Sequence, residues 1–496
     1  MRGEHILGQE SEKFPGKVYA DCVLKHVFQF QRDYLLRDML LVHRAHTIML
    51  QEEGIIKESD AKLILGTLKK VETISSNELT YGTDYEDLFF LIEHHLQKEA
   101  NSDAISNMHI GKSRNDMGVA LYRMSLRRYI LRFAEHFMLL RESILHIAKE
   151  HIETIMPAYT HTQPAQPTTF GHYMLAIYDQ MERDAKRVWR AYDAVNQSPL
   201  GAAALSTTGF PINRERVAAL LGFSNIIENS YDAIASADYV LETSAALMIT
   251  MTNSGRWIQD FLLLATKEYS GITVSDAYVQ ISSIMPQKRN PVSIEHARAL
   301  SSSSFGEAFT TFQMIHNTPF GDIVDTEDDL QPHLYASFEK GIRVCSVMNA
   351  VIRTLKVEKA ILQERATKHA ITITELADVL AGKYNVPFRQ AHHVASMLAN
   401  MTVQTKKELY EWRLVDINKQ LQNQLNVILT EEEWRDIVSP RAFIAKRNVY
   451  GGPSKEQMER MVKERMQQFE REEHQLEKER QRIRDIESVV RDMEVN

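Results

Sequence analysis

Cysteine is nearly absent, with Cys22 and Cys345 the only two in 496 residues. Two distant thiols build neither a disulfide framework nor a paired C-x-x-C zinc site. The H-E-x-x-H pattern is missing too. His43 and His46 share a helix face, but the adjacent pairs His94-His95 and His392-His393 point to different sides of a helix, so no metal is expected. No apolar run approaches the length that crosses a bilayer, and the opening MRGEHILGQESEKFPGK lacks the apolar core of a secretory signal. The expected protein is soluble and cytoplasmic, with no membrane partner. A basic excess is lacking as well: Lys and Arg total 58 against 66 Asp and Glu, a formal net charge of -8. Nucleic-acid binders concentrate cations against phosphate. Residues 374–388 (TELADVLAGKYNVPF) superficially resemble a helix-turn-helix, but without a basic cluster no nucleic-acid partner is expected. Small anionic ligands remain open to a local cationic site.

Alternating β-branched runs are scarce, whereas residues 32–51 and 238–266 carry apolar side chains at helical spacing, which predicts a mostly helical protein. Its length predicts two or three domains. Breaks fall at residues 81–83, 156–157, 164–167, 199–201, 209–211 and 451–453, each rich in Gly or Pro. Between 167 and 326 long helical stretches joined by short breaks predict a bundle. Residues 240–251 (VLETSAALMITM) are apolar around most of their circumference, which predicts burial against other subunits. The tail from 455 to 496 has no Gly or Pro and is dense in Glu, Arg, Lys and Gln. Val462, Phe469, Leu476, Ile483 and Val490 recur every seventh residue there, but Glu473 and Arg480 interrupt the second apolar position. A coiled coil and a single solvated helix lying along the body are both open.

Three segments carry the candidate chemistry. Residues 281–295 (ISSIMPQKRNPVSIE) place serines, a lysine and an asparagine in an irregular stretch between helices, donors suited to an anionic substrate under a closing loop; the plain alternative is a polar surface loop. Residues 109–116 (HIGKSRND) set Gly111 in a turn before Ser113. Ser113 is then an N-cap with Asp116 favouring the helix dipole, or else Arg114 and Asn115 offer a carboxylate a guanidinium fork at a helix N-terminus. Residues 159–167 (YTHTQPAQP), kept non-helical by prolines, expose Thr160, His161 and Gln163. His161 is a general acid or base only with a carboxylate partner, for which Glu295 is the candidate.

Together these segments resemble the fumarase and aspartase superfamily, whose GSSxMPxKxN loop is similar to residues 282–290. Within it, HIGKSRND resembles the argininosuccinate lyase motif HTGRSRND. YTHTQPAQP resembles YTHLQxAQP, and residues 198–214 (SPLGAAALSTTGFPINR) resemble PLGSGALAGTxFPIDR. Similarity runs from about residue 31 to 452. The resemblance implies an all-α, three-domain lyase: an N-terminal helical domain (1–112), a central long-helix bundle bearing the catalytic loop (113–365) and a C-terminal helical domain (366–454). A charged helical extension (455–496) follows. It also implies a homotetramer with active sites shared between subunits, no cofactor, and β-elimination of an amine from an N-substituted aspartate such as argininosuccinate, releasing fumarate, as in arginine biosynthesis. By the same resemblance Ser282 is the base, Lys288 and Asn290 hold the succinyl carboxylates, His161 pairs with Glu295, and Ser113, Arg114, Asn115 and Thr160 grip the succinyl half. Ser282 needs nearby positive charge to act as a base, and Lys288 is the source.

Departures from the family's pattern gather at the amine half. Gln331 is kept, but Thr326 stands where a tyrosine is expected and Leu334 where a lysine is. His43 replaces an early helix serine, Ala237 an arginine, and Ile281 the loop glycine. A related lyase for another N-succinyl amine is the alternative. Adenylosuccinate lyase, fumarase and a catalytically silent scaffold rank below it.

Overall fold

The computed structural model describes residues 14–82 and 84–494. The opening segment up to residue 13, Thr83 of the 81–83 break, and residues 495–496 lie outside them. Helices α1 (Lys25–Tyr34), α2 (Leu36–Glu52), α3 (Glu58–Val71) and α4 (Leu88–Ala100) form the N-terminal part. α2 is buried from Asp38 to Leu50 on every side, so it carries His43, Arg44 and His46 into the interior along with its apolar residues. Such polar groups need partners inside, and finding them fixes how α2 sits.

The middle of the chain is a bundle of α5 (Arg114–Glu150), α6 (Phe170–Val195), α7 (Asp238–Leu264), α8 (Val292–Ile315) and α9 (Gln331–Thr354). α5 packs on α6 and α9, α6 on α7, α7 on α8, and α8 on α9, which closes a ring. With 37 residues α5 runs about 55 Å. α8 comes close to its neighbours because its contact row is Ser and Thr. Ser301 Oγ donates to the Met251 carbonyl at 2.6 Å, Ser304 Oγ to the Ser337 carbonyl at 2.8 Å and Thr311 Oγ1 to Ser244 Oγ at 2.7 Å. The outer faces of α7 and α8 meanwhile leave Ile249, Leu263, Phe305 and Phe309 exposed.

Two stretches expected to be irregular are hairpins. β1 (Ile155–Thr160) pairs antiparallel with β2 (Gln163–Thr169), Thr160 opposite Gln163. Prolines 157, 164 and 167 fit there because a two-stranded ribbon is all edge, where a missing N–H is tolerated. β3 (Gln280–Ile281) pairs with β4 (Arg289–Asn290), and Glu295 lies beyond it in the first turn of α8.

Residues from 370 to 437 have a core of their own around α10 (Ile373–Gly382) and α11 (Phe388–Thr405). The helix-turn-helix-like segment supplies that core with Leu376, Leu380 and Val386. Finally α12 (Lys455–Asp492) lies along α5, α6 and α2 of its own chain. The seventh-residue seam of Val462, Phe469, Leu476, Ile483 and Val490 is buried against the body. Charged residues beside it pair with the body too: Glu472 meets Arg141 at 2.6 Å, Arg465 meets Asp179 at 2.8 Å and Arg480 meets Glu135 at 2.8 Å. Of the two readings open for the tail, it is the single helix along the body, with its seam buried there and only its outer face solvated. No helix among the described residues is long and apolar enough to cross a membrane.

Candidate active site

The start of α5 is fixed locally. Gly111 turns at φ +71°, and a Cβ there would meet Ile212 Cγ2 at 2.9 Å. Ser113 then caps the helix, and Asp116 Oδ1 accepts the Ser113 N–H at 2.9 Å, completing a capping box. The buried Asp116 carboxylate also receives the N–H groups of Gly201 at 2.8 Å and Ala203 at 3.1 Å. Burial raises its pKa and these donors oppose the rise. The capping reading of Ser113 and Asp116 therefore holds, and Asp116 also pins the 198–214 segment to the helix start. Arg114 stays exposed, 3.0 Å from Asp87, 3.4 Å from Glu86 and 4.7 Å above the Phe90 ring. Asn115 donates to Asp322 and accepts from Ser113 Oγ.

Thr160 and His161 stand at the exposed end of the first hairpin. His161 and Thr162 form its turn with φ of +52° and +63°, a pairing of positive angles that fits a tight hairpin's twist. Thr162 is β-branched and strained there, and its Oγ1 donates to the His161 carbonyl at 2.6 Å.

In the second hairpin Ser282 N donates to the Lys288 carbonyl at 3.4 Å, and Ser282 Oγ accepts from Met285 N at 3.2 Å. Its base is tied down by Ser293 Oγ, which donates to the Tyr278 carbonyl at 2.8 Å, and by an Arg289–Asp276 ion pair. Lys288 is exposed, and among the described residues its ammonium makes no ion pair and no hydrogen bond to Ser282. Ile284 at the tip is 82% exposed, so within one chain this hairpin is open.

Arg114 and Asn115 line a cavity of ≈ 450 Å³ together with Glu86, Asp87, Asp322, Glu327 and Asp328. Ser282, Lys288, Asn290, Thr160, His161 and Glu295 are not on its wall. No hydrogen bond or ion pair joins His161 to Glu295 among the described residues; the chain by itself does not assemble that pair. Gln331 opens α9 fully buried, with neither amide atom partnered among the described residues. His43 is buried too, with Nδ1 2.8 Å from Lys112 Nζ.

The acidic wall went unread in the sequence, although the run Glu327-Asp328-Asp329 beside the retained Gln331 was its signal. Burial, then Asp322 and Asp328, push Glu327 up to about 7. Burial lifts Asp328 to about 6 against the donors Tyr122 OH at 2.8 Å and Gln31 Nε2 at 2.9 Å. Such a wall suits a cation. Among the described residues no group of three or more His, Cys, Asp or Glu is arranged to hold a metal ion.

Residues 51–306 match the family described as Lyase, and residues 370–445 the family described as Argininosuccinate lyase C-terminal. The chain is 39% identical over 454 residues to argininosuccinate lyase 2 of Agrobacterium fabrum, covering 90% of each. It is 34% identical to argininosuccinate lyase of Methanocaldococcus jannaschii, covering 92% of this chain and 93% of that one. The crystal structure of EDDS lyase in complex with formate superposes with a TM-score of 0.85 at 26% identity, covering 95% of this chain and 94% of that one.

Proposed function

The chain belongs to the argininosuccinate lyase family of carbon-nitrogen lyases, which release fumarate, and from that premise we propose that Ser282 is the base of a β-elimination on an N-substituted aspartate. Ser282 Oγ takes a proton from Cβ. The adjacent carboxylate, held by Lys288 and Asn290, carries the charge as an aci-carboxylate. The C–N bond then breaks with its electron pair going to nitrogen, which gains a proton from His161, held by Glu295, or from a water that the pair orders. The double bond of fumarate is left. Lys288 supplies the positive charge that a serine needs to act as a base once the hairpin closes and water is excluded. Ser113, Arg114, Asn115 and Thr160 hold the succinyl half.

The observation that carries this reading is the β3–β4 hairpin, which sets Ser282, Lys288 and Asn290 within one short exposed loop on a bundle of the family's fold. The absence of Ser282, Lys288, Thr160 and His161 from the cavity wall that Arg114 and Asn115 line, and the bare apolar faces of α7 and α8, favour a homotetramer in which neighbouring chains complete each site. Ultraviolet detection of fumarate tests the activity. Ser282→Ala is expected to lower kcat by about 10³-fold or more with the assembly intact, and a variant of normal activity removes Ser282 from the role.

For the amine half, the acidic wall favours a substrate bearing a cation, such as argininosuccinate or an N-succinyl diamine, over a neutral or anionic amine. Thr326, Leu334, Ala237 and His43 weigh toward the diamine. Comparing kcat/KM across argininosuccinate, N-succinyl diamines and N-succinyl amino acids with neutral side chains decides it. Preference for the neutral set sinks the cationic assignment.

A further inference from the structure

Residues 109–116 hold two cations, and only Arg114 is matched by carboxylates, those of Asp87 and Glu86. The Gly111 turn sends Lys112 toward α2, where its Nζ donates to Nδ1 of His43 at 2.8 Å. No carboxylate among the described residues lies within 4.0 Å of that Nζ. The other groups around it are occupied. His46 Nε2, on α2, lies 2.8 Å from the Ile110 carbonyl. His109 lies 3.1 Å from Glu93 of α4, and Asp116 of α5 is taken up by three backbone N–H groups.

An ammonium has donors and no acceptor, so Nδ1 of His43 must be bare and the ring neutral, its proton on Nε2. Burial, then Lys112, His109 and His46, hold His43 well below the usual histidine range. Burial, then Lys112, bring His46 and His109 to about 3. All three rings are neutral near pH 7. Burial also pushes Lys112 down to about 7, with Asp116 and Glu93 opposing the fall. The positive charge among these groups at neutral pH therefore rests on the half-buried Lys112. The wall around the α5 start carries more carboxylates than cations with or without it, Glu86, Asp87 and Asp322 against Arg114, and a charged Lys112 behind it narrows that excess.

We propose that Lys112 is a positioning residue for the four-carbon dianionic end of substrate and product, an ammonium held on His43 that sets the affinity of the Ser113-Arg114-Asn115 segment for that end. This rests on the reading that the segment receives the succinyl half. A unit charge several ångströms away through a partly dry protein changes the binding of an anion by about tenfold. The cation is present below about pH 7 and lost as pH rises through it.

Fumarate is the probe, because the reaction yields it whatever the amine. Calorimetric titration of the assembled enzyme with fumarate between pH 6 and 9, where both fumarate carboxyls are ionised, reads Lys112 directly. The wild-type association constant is expected to fall about tenfold over that range. Lys112→Arg keeps its charge and should flatten the slope to the share that Glu327 contributes by ionising near 7, and Lys112→Met should bind weakly with that same residual slope. Wild-type affinity and pH slope in Lys112→Met overturn the proposal; if that variant does not fold, an unchanged slope in Lys112→Arg does the same. Absence of fumarate binding by the wild type at every pH sinks the lyase reading as well, whereas binding with a slope indifferent to Lys112 sinks only this inference.

Discussion

Glu327 makes no ion pair among the described residues, and burial with Asp322 and Asp328 pushes its pKa up to about 7. A carboxyl raised in this way favours the folded state while protonated, and that favour is lost as pH rises from the ordinary carboxylate value toward about 7. Glu327→Gln is thus expected to raise Tm at pH 8 by on the order of 2 °C. A cationic amine half binds the ionised form, so KM for a diamine or guanidine substrate should climb as pH falls through about 7, and Glu327→Gln should abolish that climb. A variant that keeps the wild-type pH dependence of KM places the amine elsewhere. Glu327 and Lys112 move oppositely with pH, since one loses its charge on acidification and the other on alkalinisation. These two groups escaped the sequence reading because a carboxyl or a lysine reveals its pKa only through burial and neighbours: α2, α4 and α5 supply those of Lys112, and Asp322 and Asp328, folded with Glu327 against α5, supply those of Glu327.

Elements show a different mixture. The seam of α12 was legible as a heptad, but its partner was not, because the complementary face belongs to α2, α5 and α6, far away in sequence. Arg141 is 1% exposed and holds Glu472 at 2.6 Å. Glu472→Ala leaves that guanidinium buried without a carboxylate and should cost roughly 3–5 kcal/mol, read as a lower Tm, whereas replacing both residues by Met should recover much of the loss. Equal Tm values for the single and double variants make the pair energetically idle. The β1–β2 hairpin was missed because the Asn-Gly or Asp-Gly turn that announces such hairpins is replaced by His161-Thr162. Thr162→Gly relieves the strain of φ +63°, about 1 kcal/mol, and should leave kcat unchanged. A fall in kcat instead ties the Thr162 side chain to His161's orientation.

At the scale of the assembly, the proposed completion of each site by neighbouring chains makes a specific prediction. Ser282→Ala and His161→Ala should each be inactive, but refolding them as a mixture should restore a measurable fraction of wild-type activity, since some sites then draw an intact Ser282 from one chain and an intact His161 from another. Mixed tetramers that stay silent put both residues in one subunit's site. Substituting Phe309, 45% exposed on α8, by Glu should break the assembly in light-scattering measurements and take the activity with it. An active monomer refutes shared sites. The all-round apolar run at 240–251 was expected to need cover from other subunits, but its own chain buries most of it and leaves Ile249 bare, because a helix too apolar for water needs a cover whichever chain supplies it.

The sequence by itself determined the helices, their breaks, the capped start of α5 and the family's motif residues, because periodicity, caps and turn chemistry act between near neighbours in the chain. Tertiary structure alone decided that His43 and Lys112, 69 residues apart, share a hydrogen bond, and that Gln31 reaches Asp328 across 297. It also decided that acids from two distant stretches line one cavity with Arg114. Contacts of that kind follow from which buried faces meet, and the charges they create follow from how much water the meeting removes.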